Sequence, residues 1–504
     1  SSSAGIARSQ ELSRILVQFP IDDIITDRTQ GTIPAEGSVE FYLKLYNAKH
    51  TSTVPKNLRL IVSPVSSSWE EGFGLDMENY QDDTKDQEGS NWIKRSGGTS
   101  WTTVGGTYLT ASDGNNAGDL TKTALLSEGT EDLELDITNI VEKWIIGFNN
   151  TGDGIENYGL GVRLTGSQEA YFSSSAGESV FADGSVVQNL EGAIRSYYTK
   201  KFFSRTSQFF FKKPCIEARW DSTLKDNRGN AQYSSSLLSS EDNINTLYLY
   251  NYVRGQLKNI PGITDHSSNI YVQLFSGSAD NTVPSGSALD LVTTSDYVST
   301  TVPTVVTGGY VSAGIYSASF ALTASATPVK TVYDVWYLDG EDKLGAQVNT
   351  SSFEPKVFYS SQENGNSSYV LNVGNLKPAY RTSETPRIRA NIRLKNWNPT
   401  IYSKAVAQVE NIILEDVYYK INRTIDDSEI ISYGTGSNAS PQVVGSAGSY
   451  TRLSSDISGN YFDLDMSLFE PGYMYSLSFC TYVEPGFREL NSTFNFRVEE
   501  SEGS

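Results

Sequence analysis

Leu468-Phe469-Glu470-Pro471-Gly472-Tyr473-Met474-Tyr475-Ser476-Leu477-Ser478-Phe479 is the stretch on which the fold turns. Its Pro-Gly pair sets a tight corner, because proline fixes φ and glycine accepts backbone conformations that other residues resist. Beyond the corner, apolar and polar residues alternate, as a strand with one buried face requires. A tyrosine leading out of such a corner can donate its hydroxyl back to the corner backbone, a packing device and not a catalytic one. Upstream, residues 461–465 read as the strand that enters the corner.

The same alternation recurs at residues 39–46, 57–62, 159–164, 248–253, 270–275, 314–322, 331–337 and 387–394, between clusters of Gly, Asn, Asp, Ser and Pro. Helical spacing is confined to residues 139–146, with Thr138 as N-cap and Ile140, Val141 and Trp144 on one face, and to residues 191–198. Residues 411–419 fit either state. Of 504 residues, 38% are apolar and 19% charged, and 12% are aromatic, with 30 Tyr and 21 Phe. That profile disfavours helical bundles, which need Ala, Leu, Glu and Lys, and is too aromatic for a disordered chain. The expectation is an all-β protein. Polar turn-forming stretches at 221–230 and 349–352 mark two joints, giving three tandem β-sandwich domains at 1–220, 221–350 and 351–504.

Charge and residue inventory exclude several functions. With 39 basic against 59 acidic residues the net charge is −20, and no basic stretch offsets it, so nucleic acid is not a partner. His50, His266, Cys215 and Cys480 are the whole supply of imidazoles and thiols, in no ligand spacing, so a His-based triad, a zinc site or a Cys-His dyad is not expected. The cysteines read as two buried thiols. The longest apolar runs, such as 15–17 and 412–414, are strand-sized, so no membrane span is expected. A start on Ser1-Ser2-Ser3 without Met reads as processed, trimmed or internal. Phosphate loops, dinucleotide fingerprints and nucleophile elbows are missing, and the expectation is a non-enzymatic chain without an organic cofactor.

Three groups of residues stand out. Trp69, Trp92 and Trp101 lie in a long polar loop, residues 66–106, beside Asn and Glu. Exposed indoles in that company stack on sugar rings, and buried ones would instead pin the loop. Between residues 70 and 88 eight carboxylates face only Lys85; among them Asp76, Glu78, Asp82 and Asp83 are the oxygen set that suits calcium, the alternative being a solvated acidic face. A pair of these acids would also meet the requirement of glycoside hydrolysis. Phe209, Phe210 and Phe211, beside Lys212-Lys213, read as a docking strand for a neighbouring subunit or as a strand whose alternate rings face its own core.

In the first domain the order of motifs is Glu11-Leu12-Ser13-Arg14-Ile15-Leu16-Val17-Gln18-Phe19, Ile33-Pro34-Ala35-Glu36-Gly37, Ser68-Trp69-Glu70-Glu71-Gly72, Trp92, Trp101 and Gly105-Gly106. It continues through Leu135-Asp136-Ile137-Thr138, Trp144, Gly159-Leu160, Phe203-Ser204-Arg205 and Pro214. Residues 1 to 220 thereby resemble the DNRLRE-type β-sandwich, a carbohydrate-binding-module family of surface and secreted proteins. Thr206 departs from it, standing where the family's Ser-Arg is followed by Glu. The resemblance implies a jelly-roll-type sandwich and sugar binding through Trp69, Trp92 and Trp101. The second and third domains resemble immunoglobulin or fibronectin-type sandwiches.

Lys200-Lys201-Phe202-Phe203-Ser204-Arg205, the segment 209–221 and Gly459-Asn460-Tyr461-Phe462-Asp463-Leu464 resemble structural proteins of tailed, marine-type bacteriophages. This implies a non-enzymatic virion component of tail, neck, fibre or capsid surface, located in the extracellular particle. Its partners would be other virion proteins, in a homo- or hetero-oligomer. An adhesin holding a host surface glycan is the alternative, and a glycan-degrading enzyme a further one.

Overall fold

A computed structural model describes residues 13–49, 56–71, 89–92, 94–109, 120–148, 153–171, 191–193, 200–292, 304–323, 325, 327–338, 347–358, 368–398, 401, 411–434, 449–483 and 486–501. The chain is all-β and divides into two compact units, Ser1–Trp220 and Asp221–Ser504.

The first unit runs β1 (Ile15–Val17), α1 (Asp22–Gln30), β2 (Glu40–Leu45), β3 (Leu58–Pro64), β4 (Lys94–Ser96), β5 (Thr99–Ser100), β6 (Lys122–Leu126) and β7 (Leu133–Asp136). It ends with α2 (Thr138–Phe148), β8 (Leu160–Leu164) and β9 (Cys215–Arg219). Its two larger sheets have the orders β1-β8-β3-β6 and β7-β2-β9, and β4 pairs with β5 in a separate two-stranded sheet. Alternation in β2 buries Phe41, Leu43 and Leu45, which share one core with Leu58, Leu60 and Val62 of β3 and Leu160, Val162 and Leu164 of β8. Each such side chain stabilises by about 1.5–3 kcal/mol on burial, so this core is what joins the sheets.

Helix α2 buries Ile140, Val141 and Trp144, the face read from the sequence. Its capping acceptor is not Thr138: the Asp136 carboxylate accepts from the Thr138 N–H at 2.9 Å, while the Thr138 hydroxyl accepts from the Phe41 N–H at 2.9 Å. An ionised acceptor makes the stronger bond. Helix α1 has no clear periodic signal because it buries only Ile25, and Gly31, at φ 79°, closes it with a left-handed cap. The Arg28 guanidinium reaches across to Glu142 at 2.6 and 3.1 Å and ties α1 to α2.

The second unit opens with β10 (Asn245–Tyr250), β11 (Tyr252–Val253), β12 (Gln256–Leu257), β13 (Asn269–Gly277), β14 (Pro284–Ala288), β15 (Val306–Ser312), β16 (Ile315–Phe320), β17 (Val332–Tyr337) and β18 (Gln347–Phe353). β10-β16-β15-β13-β17-β18 form one sheet, with β14 paired to β13. Residues 314–320 and 333–337 therefore belong to a single hydrogen-bonded path. Residues 349–352, read as a joint, are the interior of β18: Ser352, Ser351, Thr350 and Asn349 pair with Tyr333, Asp334, Val335 and Trp336 of β17. Their small polar side chains suit a half-exposed edge strand as well as they suit a linker.

Residues 221–230, read as the other joint, open the second unit and carry a capped turn. A short 3-10 turn, Asn227–Gly229, capped by the Asp226 carboxylate, delivers Arg228 to the sheet. Its guanidinium donates to Asp226 at 2.8 Å, to the Tyr248 carbonyl at 2.6 Å and to Asp334 at 2.5 Å, and the Trp336 indole N–H donates to the same Asp334 oxygen at 2.7 Å. Burial pushes the Asp226 carboxyl up, Arg228 opposes that rise, and Asp334 adds to it.

The remainder holds β19 (Tyr369–Val373), β20 (Ala379–Arg381), β21 (Arg387–Leu394), β22 (Val417–Arg423), β23 (Ser428–Ile431), β24 (Ser454–Asp456), β25 (Gly459–Asp463), β26 (Met474–Val483) and β27 (Gly486–Glu499). Sheets β19-β21-β25-β24 and β20-β27-β26-β22-β23 carry buried rings of Tyr461, Phe462, Phe479 and Phe496. The corner hydrogen bond exists, with Tyr475 donating to the Glu470 carbonyl at 2.8 Å.

Candidate functional site

A groove of about 960 Å³ opens in the first unit alongside β1. The edge strand β1 and the residues after it, Gln18 to Ile21, form one wall. Segment 201–203 prolongs the sheet next to β2: the Ala48 N–H donates to the Lys201 carbonyl, and the Phe203 N–H to the Tyr46 carbonyl, each at 2.9 Å. Lys200 anchors that segment by donating to Asn47 Oδ1 at 2.8 Å and to the Glu131 carbonyl at 2.5 Å. Phe202 and Phe203 thus become the opposite wall, with Leu45 and the buried Trp144 below them.

The groove is apolar inside and charged at its margin. Phe148 and Ile15 line it while remaining 55% and 38% exposed. Asp22, Glu71, Glu156 and Arg205 are also among its lining residues, and Arg205 pairs with Glu71 at 2.8 Å, both well exposed. An exposed pair of this kind contributes little energy and mainly defines a polar rim. Asn157 spends both ends of its amide on the backbone, donating to the Phe19 carbonyl at 2.8 Å and accepting from the Gly159 N–H at 3.1 Å.

Between two lining stretches, Phe203 to Arg205 and Pro214, the chain projects as a knuckle. Phe209, Phe210 and Phe211 do not form the expected strand. The Lys212 N–H donates to the Phe209 carbonyl at 3.1 Å, turning the chain, and the rings pair edge-on: Phe203 with Phe209 at 5.5 Å, Phe210 with Phe211 at 4.9 Å. In a strand successive side chains point to opposite faces, so three rings in a row could not all be buried on one side. Phe209 and Phe210 stay 49% and 42% exposed.

Of the three tryptophans, only Trp69 reaches the groove, its indole N–H donating to the Tyr158 carbonyl at 2.8 Å. Trp101 is 6% exposed and donates to the Asn91 carbonyl at 2.9 Å, so its ring is not open to a ligand. Trp92 lies under the Arg14 guanidinium, 4.7 Å from its centroid, and Arg14 is itself held by Glu169 through two bonds of 2.8 Å. Gly105, at φ 79°, seals that packing, since a Cβ there would come within 2.7 Å of the Trp92 ring. Trp92 and Trp101 pin their loop. Asp76, Glu78, Asp82 and Asp83 lie outside the described residues, among which no group of three or more His, Cys, Asp or Glu side chains converges as a metal site.

Among the described residues no histidine or cysteine lines the groove. Cys215 is partly buried and Cys480 buried, and both are free thiols; burial, then Glu489, pushes the Cys480 thiol up to about 12. His266 packs edge-on against Tyr310 at 5.2 Å. Among the described residues no helix is long and apolar enough to cross a membrane. Sequence reasoning missed Ile15, Phe148 and Phe203 as groove residues. Ile15 opens a strand-sized apolar run, Phe148 ends a helix and Phe203 lies beside a turn, and none of these signals says which wall a side chain faces.

Neither a protein-family model nor a curated protein matches this sequence. Among solved structures, the N-terminal Ig1-2 module of the Drosophila receptor protein tyrosine phosphatase DLAR is similar at 10% identity, over 51% of this chain and 91% of that one, with a TM-score of 0.14. A likeness at that level carries no argument about function.

Proposed function

We propose that this chain is a non-enzymatic structural component of a bacteriophage virion, and that it joins neighbouring virion proteins through the groove and knuckle of its first unit. The observation that carries the assembly reading is exposed apolar surface, Ile15 and Phe148 in the groove and Phe209 and Phe210 on the knuckle, linked through the half-buried Phe203 that touches both, with Asp22, Glu71, Glu156 and Arg205 at the groove's margin. Apolar patches with polar rims mark protein interfaces, and aromatic side chains supply their anchors. The virion assignment is supported by the resemblance of segments 200–205, 209–221 and 459–464 to phage structural proteins. Cross-linking mass spectrometry on gradient-purified particles tests it: the chain should be present in stoichiometric amount, with cross-links from Lys212 or Lys213 to a neighbour. Presence in the lysate but not in the particles contradicts it.

A second reading, a host-glycan adhesin, is favoured by Trp69, whose fixed indole forms part of the groove wall. Against it, the Asn157 amide is already committed to the backbone. On this reading Trp69→Ala abolishes retention on a glycan array, and an array with no signal for the native chain removes it.

A further inference from the structure

We infer that the knuckle of one copy seats in the groove of a second, so that two copies of this chain associate through a self-complementary face of the first unit. The inference rests on reading that face as an assembly surface, and it names the partner.

Three observations lead to it. The groove is apolar within, through Phe19, Leu45, Trp144 and Phe202, and carries Asp22 and Glu156, neither of which has an ion pair among the described residues. The knuckle has the complementary chemistry: two exposed rings, Phe209 and Phe210, followed at once by Lys212 and Lys213, also without an ion pair among the described residues. An aromatic projection with a basic base therefore matches an apolar slot with acidic lips, in hydrophobicity and in sign.

The third observation is adjacency. Phe203 lines the groove and touches Phe209 of the knuckle, so donor and acceptor lie side by side on one face. Phe209 touches Phe203 but is not itself one of the residues that line its own groove. When donor and acceptor patches neighbour each other, a two-fold axis uses both twice and closes the assembly at a dimer.

Sedimentation velocity on the full chain tests this. The native chain should dimerise, and Phe209→Asp with Phe210→Asp should raise the dissociation constant at least about tenfold, with circular dichroism unchanged because both rings are exposed. Lys212→Glu/Lys213→Glu and Asp22→Lys/Glu156→Lys should each weaken self-association, and mixing the two variants should restore a heterodimer, a result that general damage to the fold would not produce. A native chain that stays monomeric up to about 100 µM, or a mixture that fails to recover, overturns the inference. If the native chain is monomeric and the double aspartate variant still fails to enter particles, the second copy is wrong and the assembly reading stands.

Discussion

The ring of Phe203 meets the ring of Phe209 edge-on, with centroids 5.5 Å apart and planes at 71°. That contact links the wall of the groove to the projecting knuckle and makes them one surface. Replacing Phe209 and Phe210 by Asp removes the anchors without touching the core. Unfolding free energy should change by only about 0.5 kcal/mol, the usual range for surface positions, while on the proposed virion reading incorporation into particles, followed by quantitative mass spectrometry, should be lost. A large loss of stability would mean that the rings are structural.

In the second unit, Asp334 is fully buried in β17 and depends on Arg228 for its charge partner. Arg228→Met leaves that carboxylate in the interior without a countercharge, with only the Trp336 N–H still donating to it, at an expected cost of about 3–5 kcal/mol. Hydrogen exchange of the β17 amides should show the loss. Adding Asp334→Asn should cost less than the sum of the two single changes, because the interaction is shared.

Glu217 gives the first unit an acid limb. Burial acts to raise its carboxyl, but Lys44, at 2.9 Å, and Arg219, at 2.6 Å, outweigh it and hold the group below the ordinary carboxylate range. A lowered folded value means that the contribution is present above the unfolded value of about 4.3 and is lost as pH falls through the folded one. Glu217→Gln should flatten the stability of the first unit against pH in that acid window and leave its slope near neutrality unchanged. Acid titration followed by circular dichroism checks this, and an unchanged acid limb would rule out Glu217 as its source.

Cys480 lies on the inside of β26, its thiol pushed up to about 12 first by burial and then by Glu489. At pH 8 its alkylation by iodoacetamide should be at least about a hundredfold slower than that of a free thiol, because the thiolate is the nucleophile, and should become fast once the chain is unfolded. Peptide mass spectrometry distinguishes it from Cys215, whose thiol burial also raises.

The strands were legible because their alternation is local: β2, β13, β16, β21 and β26 overlap the stretches read from the sequence. The tyrosine corner was legible for the same reason, with Tyr475 as the residue that makes the bond. The strand at 349–352 and the capped turn within 221–230 were not legible, because Ser, Thr, Asn and Asp serve an edge strand, a capped turn and a linker equally well. What commits them is Asp334, more than a hundred positions from Arg228. The groove was half legible. Trp69 and the Phe209–Phe211 cluster attract attention by composition, whereas Ile15 and Phe148 acquire meaning only where the chain brings β1 and the end of α2 alongside segment 201–203.

Hydroxyl-radical footprinting of the chain, free and within purified particles, tests the central claim most directly. If the groove and knuckle are the assembly surface, labelling of Phe148, Phe203, Phe209 and Phe210 falls on assembly, while the exposed Leu237, Ile425 and Ile457 of the second unit are labelled equally in both states. Equal labelling of the four phenylalanines in both states would contradict the account.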